Sequence, residues 1–271
     1  MEKGFSLRRL AIKILYRINP GDITIRHHYT KDRFRLHSFR HKDYWYHGKA
    51  REKNTMRIFS EMISPGSFVI EIGGHIGYIT TYFAHLVGSK GRIVVFEPGP
   101  NNLPYIRRNI APHSNITLVE KAVADFVGPT QFHIESLSGQ NNSLLNHHKN
   151  LDANLRSAGI RKINTSIVEV LCTSLDIFLA EAALPIPSFV KIDVEGAEIS
   201  VLYGMKKALQ NDRIVLMIEV TENQETIYRL LKECGFIMYN DSRRPIDDPQ
   251  YMNGNVFCVK ENDLRINRFS S

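Results

Sequence analysis

Between residues 67 and 234, strand-length apolar runs alternate with stretches of helical spacing, and that alternation leaves few folds open. The runs SFVIEIG at 67–73, RIVVFE at 92–97, ITLVEKAV at 116–123, SFVKID at 188–193 and IVLMIEV at 214–220 are predicted as strands. Helices are predicted from Gly77 to Val87, across 100–110, from Leu175 to Ala183, from Ala197 to Leu209 and from Gln224 to Cys234. Residues 130–135 and 166–171 read as further strands around a polar segment, 136–165. Two last strands, near 236–240 and 255–260, are joined by a loop holding Pro245 and Pro249, too short for a helical crossover. They are expected as an antiparallel hairpin appended to a parallel sheet. The expected class is α/β, with a mostly parallel, doubly wound sheet of seven strands.

The first 50 residues have a different character and are expected as a basic N-terminal extension, ahead of one domain over 51–271. Residues 1–60 hold 15 Lys and Arg against 5 Asp and Glu, whereas the other 211 residues are slightly acidic. LRRLAIKILYRI at 7–18 puts its apolar residues on one helical face and its arginines and lysine on the other. Such a helix either lies on an anionic membrane surface or packs against protein. Short strands and turns are expected over 22–48, which carry five histidines and Tyr44-Trp45-Tyr46, followed by a helix from Glu52 to Ile63. The basic segment suits an acidic partner, whether anionic lipid, charged glycan or nucleic acid; a solvated face with no partner is the other reading. Cys172, Cys234 and Cys258 have neither disulfide-framework nor zinc spacing. No apolar run approaches the roughly 18 residues of a membrane span, and charges interrupt any signal-peptide core. The expected location is cytoplasmic, with peripheral contact at the inner membrane surface as an option.

The first buried strand runs into Glu71-Ile72-Gly73-Gly74-His75-Ile76-Gly77. In a doubly wound sheet this turn meets a ligand at the carboxyl ends of the strands. Gly73 and Gly77 allow close backbone approach, and the following helix offers free N–H groups. The second strand ends at Glu97, 20 residues after Gly77, where an acidic side chain can accept from ribose hydroxyls. A nicotinamide dinucleotide fingerprint would need glycine at positions 75 and 78, which are His75 and Tyr78. The pattern E-x-G-x-x-x-G fits S-adenosylmethionine instead.

Several segments together carry a specific resemblance: VIEIGGHIGY at 69–78, VFEPGPNN at 95–102, KAVAD at 121–125, TSLD at 173–176 and VKIDVEGAE at 190–198. Over residues 55–240 the chain resembles the FkbM family of class I S-adenosylmethionine-dependent methyltransferases. The resemblance implies a Rossmann-like fold. It also implies a cofactor site of Glu71, Gly73, Gly74, His75, Gly77 and Glu97, with Asp125 at the adenine and Ser143 shaping the pocket. The family usually has asparagine where this chain has His75; that histidine either bonds the methionine end of the cofactor or acceptor, or faces water.

Methyl transfer needs an acceptor oxygen in line with the methyl group, and a base for an alcohol proton. The fourth strand ends at Asp193, followed by Glu195 and Glu198, and the fifth ends near Glu219. Adjacent parallel strands would bring Asp193 and Glu219 to one edge. Asp193, Glu195 and Glu219 are therefore the candidate catalytic residues, with Glu198 expected at the helix start. The pair also leaves open a divalent cation such as magnesium, with water completing its shell, although the sequence offers an incomplete ligand set. Asp193-Val194-Glu195-Gly196 stands where base N-methylating enzymes carry an (Asp/Asn)-Pro-Pro-(Tyr/Phe) motif. The expected activity is therefore O-methylation of a sugar, glycan or natural-product hydroxyl, with segment 136–165 as a lid or a solvated loop. A nucleic-acid methyltransferase guided by the basic N-terminus and a non-catalytic cofactor-binding module are the alternatives.

Overall fold

A computed structural model of the chain describes residues 18, 20–135, 139–140, 142–144 and 165–269. The predicted helix at 7–18 lies outside them but for Ile18, as does most of segment 136–165. The chain divides into two compact units, Met1–Lys53 and Asn54–Ser271.

In the first unit, β1 (Asp22–Arg26) and β2 (Arg33–His37) form an antiparallel hairpin. Phe34 and Leu36 of β2 are fully buried. Imidazoles close the turns. His27 Nδ1 accepts from the backbone N–H groups of Tyr29 and Thr30, and His37 Nδ1 from those of Phe39 and Arg40. These two histidines thus hold turns that an Asx side chain would otherwise hold. Tyr44-Trp45-Tyr46, expected among strands and turns, lies in a short helix, α1 (Lys42–His47). Tyr44 points inward beneath the Arg51 guanidinium, 4.2 Å from the ring centre, and Trp45 Nε1 donates to the Ser38 carbonyl at 2.7 Å. Aromatic packing outweighs local strand propensity here.

The second unit holds α2 (Lys53–Met62) apart from that helix's first residue. Its main sheet is formed by β3 (Phe68–Ile72), β4 (Arg92–Phe96), β5 (Ile116–Val119), β9 (Phe189–Ile192), β10 (Val215–Val220), β11 (Phe236–Asn240) and β12 (Gly254–Lys260). Their order is β11-β12-β10-β9-β3-β4-β5. Neighbours from β10 to β5 pair in parallel, whereas β12 runs antiparallel between β10 and β11. The expected seven-stranded sheet and terminal hairpin are both present. Burial on both faces explains the near-continuous apolar runs. Crossovers are made by α3 (Tyr78–Val87), α4 (Leu103–Ile110), α5 (Leu175–Glu181), α6 (Glu198–Tyr203) with α7 (Lys206–Leu209), and α8 (Gln224–Glu233).

Two predicted elements are divided. The run 116–123 leaves the main sheet after Val119; Ala122–Val123 forms β6 of a second sheet, ordered β6-β8-β7 with β7 (Gly128–Glu135) and β8 (Thr165–Thr173). The predicted helix over 197–209 breaks at Gly204. A Cβ there would stand 2.0 Å from the Ala124 carbonyl oxygen, so the backbone after β6 presses directly on the break.

Candidate active site

Parallel pairing brings the ends of β3, β4, β9 and β10 together, as expected for a ligand site at the switch point of a doubly wound sheet. The loop after β3 turns sharply. Gly73 has φ +88°, and a Cβ on it would lie 1.8 Å from the Asp193 carbonyl oxygen. A side chain is excluded there by backbone. At Gly74 a Cβ would meet Val95 and Ile106, and at Gly99 it would meet Glu97 and Asn142. These glycines form a cradle that side chains would fill. His75 also has left-handed backbone, φ +49°. Asparagine and histidine are both enriched in that region, which gives a backbone reason for either residue at this position.

Glu97 follows β4 and is almost fully buried. Its Oε2 accepts from the His75 N–H at 2.7 Å; its Oε1 accepts from the Gly99 N–H at 2.8 Å and from Asn102 Nδ2 at 3.1 Å. A carboxylate offers about four acceptor sites, so roughly one remains, on Oε2. Burial pushes its pKa up to about 7, against these hydrogen bonds, which favour the ionised form.

The asparagines beside Glu97 join it to segment 139–144. Asn102 Nδ2 also donates to the Gly139 carbonyl, Asn142 Nδ2 donates to Asn101 Oδ1, and the Glu135 N–H donates to Asn142 Oδ1. Ser143 Oγ donates to the Glu195 carbonyl at 2.7 Å. The described part of the polar segment therefore packs between the Glu97 loop and the loop after β9. Sequence reasoning missed Asn101, Asn102 and Asn142, each of which has a partner 34 to 41 residues away in the chain.

The second group of charges lies across Gly73. Glu71 of β3 and Lys191 of β9 are paired in register, and both are buried. Lys191 Nζ lies 3.5 Å from Glu71 Oε1, 2.9 Å from Asp193 Oδ2 and 3.4 Å from the Gly73 carbonyl oxygen. Thr80 Oγ1 donates to Glu71 Oε2 at 2.6 Å. Burial pushes the Glu71 pKa up to about 7, opposed by Lys191 and Thr80. Glu219 of β10 stands beside Asp193, one residue beyond the register pair Ile192–Ile218. The charge of Asp193, then burial, holds its carboxyl far above the usual range. The Asp193 side chain is 29% exposed, against 2% for Lys191, so the aspartate is the open end of the cluster.

The remaining candidates behave differently. Glu195 contributes its carbonyl to Ser143 and has left-handed backbone, φ +52°. Glu198, expected at the helix start, sits there: its Oε1 accepts from the Gly196 N–H and from Thr221 Oγ1. Asp125 is not brought into the Glu97 group. It is exposed and bonds Ser200 of α6 through both its carboxylate and its N–H. The divalent-cation expectation lacks a donor set. Among the described residues no three His, Cys, Asp or Glu side chains converge as a metal-holding group. Beside Asp193 the positive charge is the Lys191 ammonium, which sequence reasoning also missed. Its signal was a charged residue inside each of two apolar neighbouring strands, FVIEI and FVKI.

The residues fit S-adenosylmethionine on two observations, the glycine cradle and the one acceptor site left on Glu97. A family profile described as the methyltransferase FkbM domain matches residues 71–238. Hexuronic acid methyltransferase AglP of Haloferax volcanii is 25% identical over 185 residues, covering 68% of this chain and 69% of that protein. The 2-O-methyltransferase NoeI of Sinorhizobium fredii is 25% identical over 181 residues, covering 62% and 71%. A crystal structure of methyltransferase FkbM from Methylobacillus flagellatus superposes with a TM-score of 0.46 at 14% identity, covering 75% of this chain and half of that one. The family match spans well over half of the chain, from the glycine loop to the terminal hairpin, and the chain belongs to the FkbM methyltransferase family.

Proposed function

We propose that this protein is an S-adenosylmethionine-dependent O-methyltransferase acting on a sugar or glycan hydroxyl, with Asp193 as the base. The observation that carries the reading is the carboxyl pair Asp193–Glu219, held at the sheet edge by Lys191 and touching the glycine loop through Gly73. Bound S-adenosylmethionine supplies an electrophilic methyl group on sulfur. Glu71, Gly73, Gly74, His75 and Gly77 would line its methionine side, and Glu97 would accept from a ribose hydroxyl. Asp193 would orient the acceptor hydroxyl and take its proton as the C–O bond to the methyl carbon forms and that carbon's bond to sulfur breaks, leaving the cofactor as a neutral thioether. Glu219 would stand beside Asp193 and help to fix its orientation. Ser143 and the asparagine network would wall the cofactor site beside Glu97.

The acceptor class is supported by the names of two relatives, one acting on hexuronic acid and the other a 2-O-methyltransferase. The test is methyl transfer from labelled S-adenosylmethionine to uronic-acid oligosaccharides, neutral glycans and RNA. Label in a glycan is the expected result. Label in RNA alone would replace this reading with the nucleic-acid one. Cofactor binding without transfer to any acceptor would favour the non-catalytic module.

A further inference from the structure

We propose that Lys191 is a positioning residue that decides which carboxyl of the Asp193–Glu219 pair is the base. Its ammonium keeps Asp193 ionised and leaves the shared proton on Glu219. The inference rests on the reading of Asp193 as the base. Asp193 and Glu219 end adjacent parallel strands side by side, and two neighbouring carboxyls favour holding one proton between them because two ionised groups there repel. Geometry decides where it rests. The ammonium hydrogen-bonds Asp193 at 2.9 Å, and its hydrogen-bonded and ion-pair contacts elsewhere, Glu71 and the Gly73 carbonyl, pin it in place. Among the described residues the ammonium donates to Asp193 and not to Glu219, which neighbours Asp193 at the next register position.

The surrounding charges reinforce this. Lys191 faces Glu71 from β3, and around the pair stand Glu195 from the following loop and Glu198 from the start of α6. Glu97, beyond Glu71, adds a further carboxyl. Carboxyls outnumber the cation, so the carboxyl without the ammonium contact is the one that stays neutral. The ionised member is also the more open to an acceptor: Asp193 reaches solvent while Lys191 is sealed.

The test needs no acceptor. Full-length protein carrying 13C-carboxyl-labelled Asp and Glu is titrated by NMR, with the two signals assigned by their loss in Asp193→Asn and Glu219→Gln. The expected result is a Glu219 carboxyl protonated, and an Asp193 carboxyl ionised, throughout the neutral range. In Lys191→Met the apparent pKa of Asp193 should rise by about one pH unit or more, the size of a lost contact ion pair. Lys191→Arg should restore it. An ionised Glu219 at neutral pH in the unmodified protein would overturn the proposal, as would an unmoved Asp193 in folded Lys191→Met. Titration of the unmodified protein decides where the proton rests even if Lys191→Met fails to fold. Full turnover in Asp193→Asn would instead refute the functional reading and leave the proton placement to this titration.

Discussion

Two groups of carboxyls flank the glycine loop, and they are held in different ways. Glu97 is surrounded by neutral donors: two backbone N–H groups and one asparagine amide. Glu71, Asp193 and Glu219 are gathered around a single ammonium. Neutral dipoles fix a carboxylate in space without supplying a countercharge, which suits recognition of a ligand hydroxyl. An ion cluster with more carboxyls than cations holds a proton that can be redistributed, which suits acid–base work. On the proposed reading, the first arrangement binds and the second moves a proton.

The sharpest way to break this division is at Gly73, where the two regions touch. A methyl group there would press into the Asp193 carbonyl and carry a left-handed backbone as well. Gly73→Ala is expected to destabilise the protein by about 3 kcal/mol, roughly 6–12 °C in melting temperature for a domain of this size. Cofactor affinity and turnover should fall together. Calorimetry showing loss of only one would mean the loops move independently.

The next test separates the regions. Asp193→Asn should lower turnover by about a hundredfold or more, the lower range for a lost general base, with cofactor affinity much less affected. Glu219→Gln keeps a hydrogen-bond donor and should be milder. Glu97→Ala should do the reverse, weakening S-adenosylmethionine binding about tenfold or more while the acceptor KM changes little. If Asp193→Asn and Glu97→Ala give the same kinetic pattern, the division of labour fails.

How much of this was legible in the sequence depends on the range of the interaction. Glu97 was visible because a strand, a glycine turn and an acid follow at fixed local spacing. Asp193 and Glu219 were visible because adjacent parallel strands end in register, one residue beyond the Ile192–Ile218 pair. Lys191 was harder. A lysine in FVKI reads as an exposed strand residue until β3 is known to lie beside β9 with Glu71 opposite. The break at Gly204 and the departure of Ala122–Val123 from the sheet were hidden for the same reason. The break depends on the approach of Ala124 to Gly204, 80 residues along the chain, and the departure on the pairing of Ala122 and Val123 with Cys172 and Thr173. For Asp125 the family resemblance implied an adenine contact, and the structure shows its carboxylate bonded to Ser200, 75 residues along the chain.

The smallest effect expected is a pH dependence, and its sign is fixed. Folding raises the Glu97 carboxyl from 4.5 to about 7. The folded apo protein therefore binds more protons than the unfolded chain between those values, and this group's contribution to stability falls as pH rises through that window. A ribose hydroxyl donates to the ionised carboxylate, so cofactor binding runs the other way. Affinity should improve by up to about tenfold from pH 6 to pH 8, as the fraction of ionised Glu97 rises around a midpoint near 7. Glu71 titrates in the same range, so calorimetry in both Glu97→Gln and Glu71→Gln assigns the effect. Loss of the pH dependence in Glu97→Gln alone places it on the neutral-donor cradle. Loss in Glu71→Gln alone would show that the ammonium cluster senses the cofactor, and the separation between the binding and proton-moving regions would have to be redrawn.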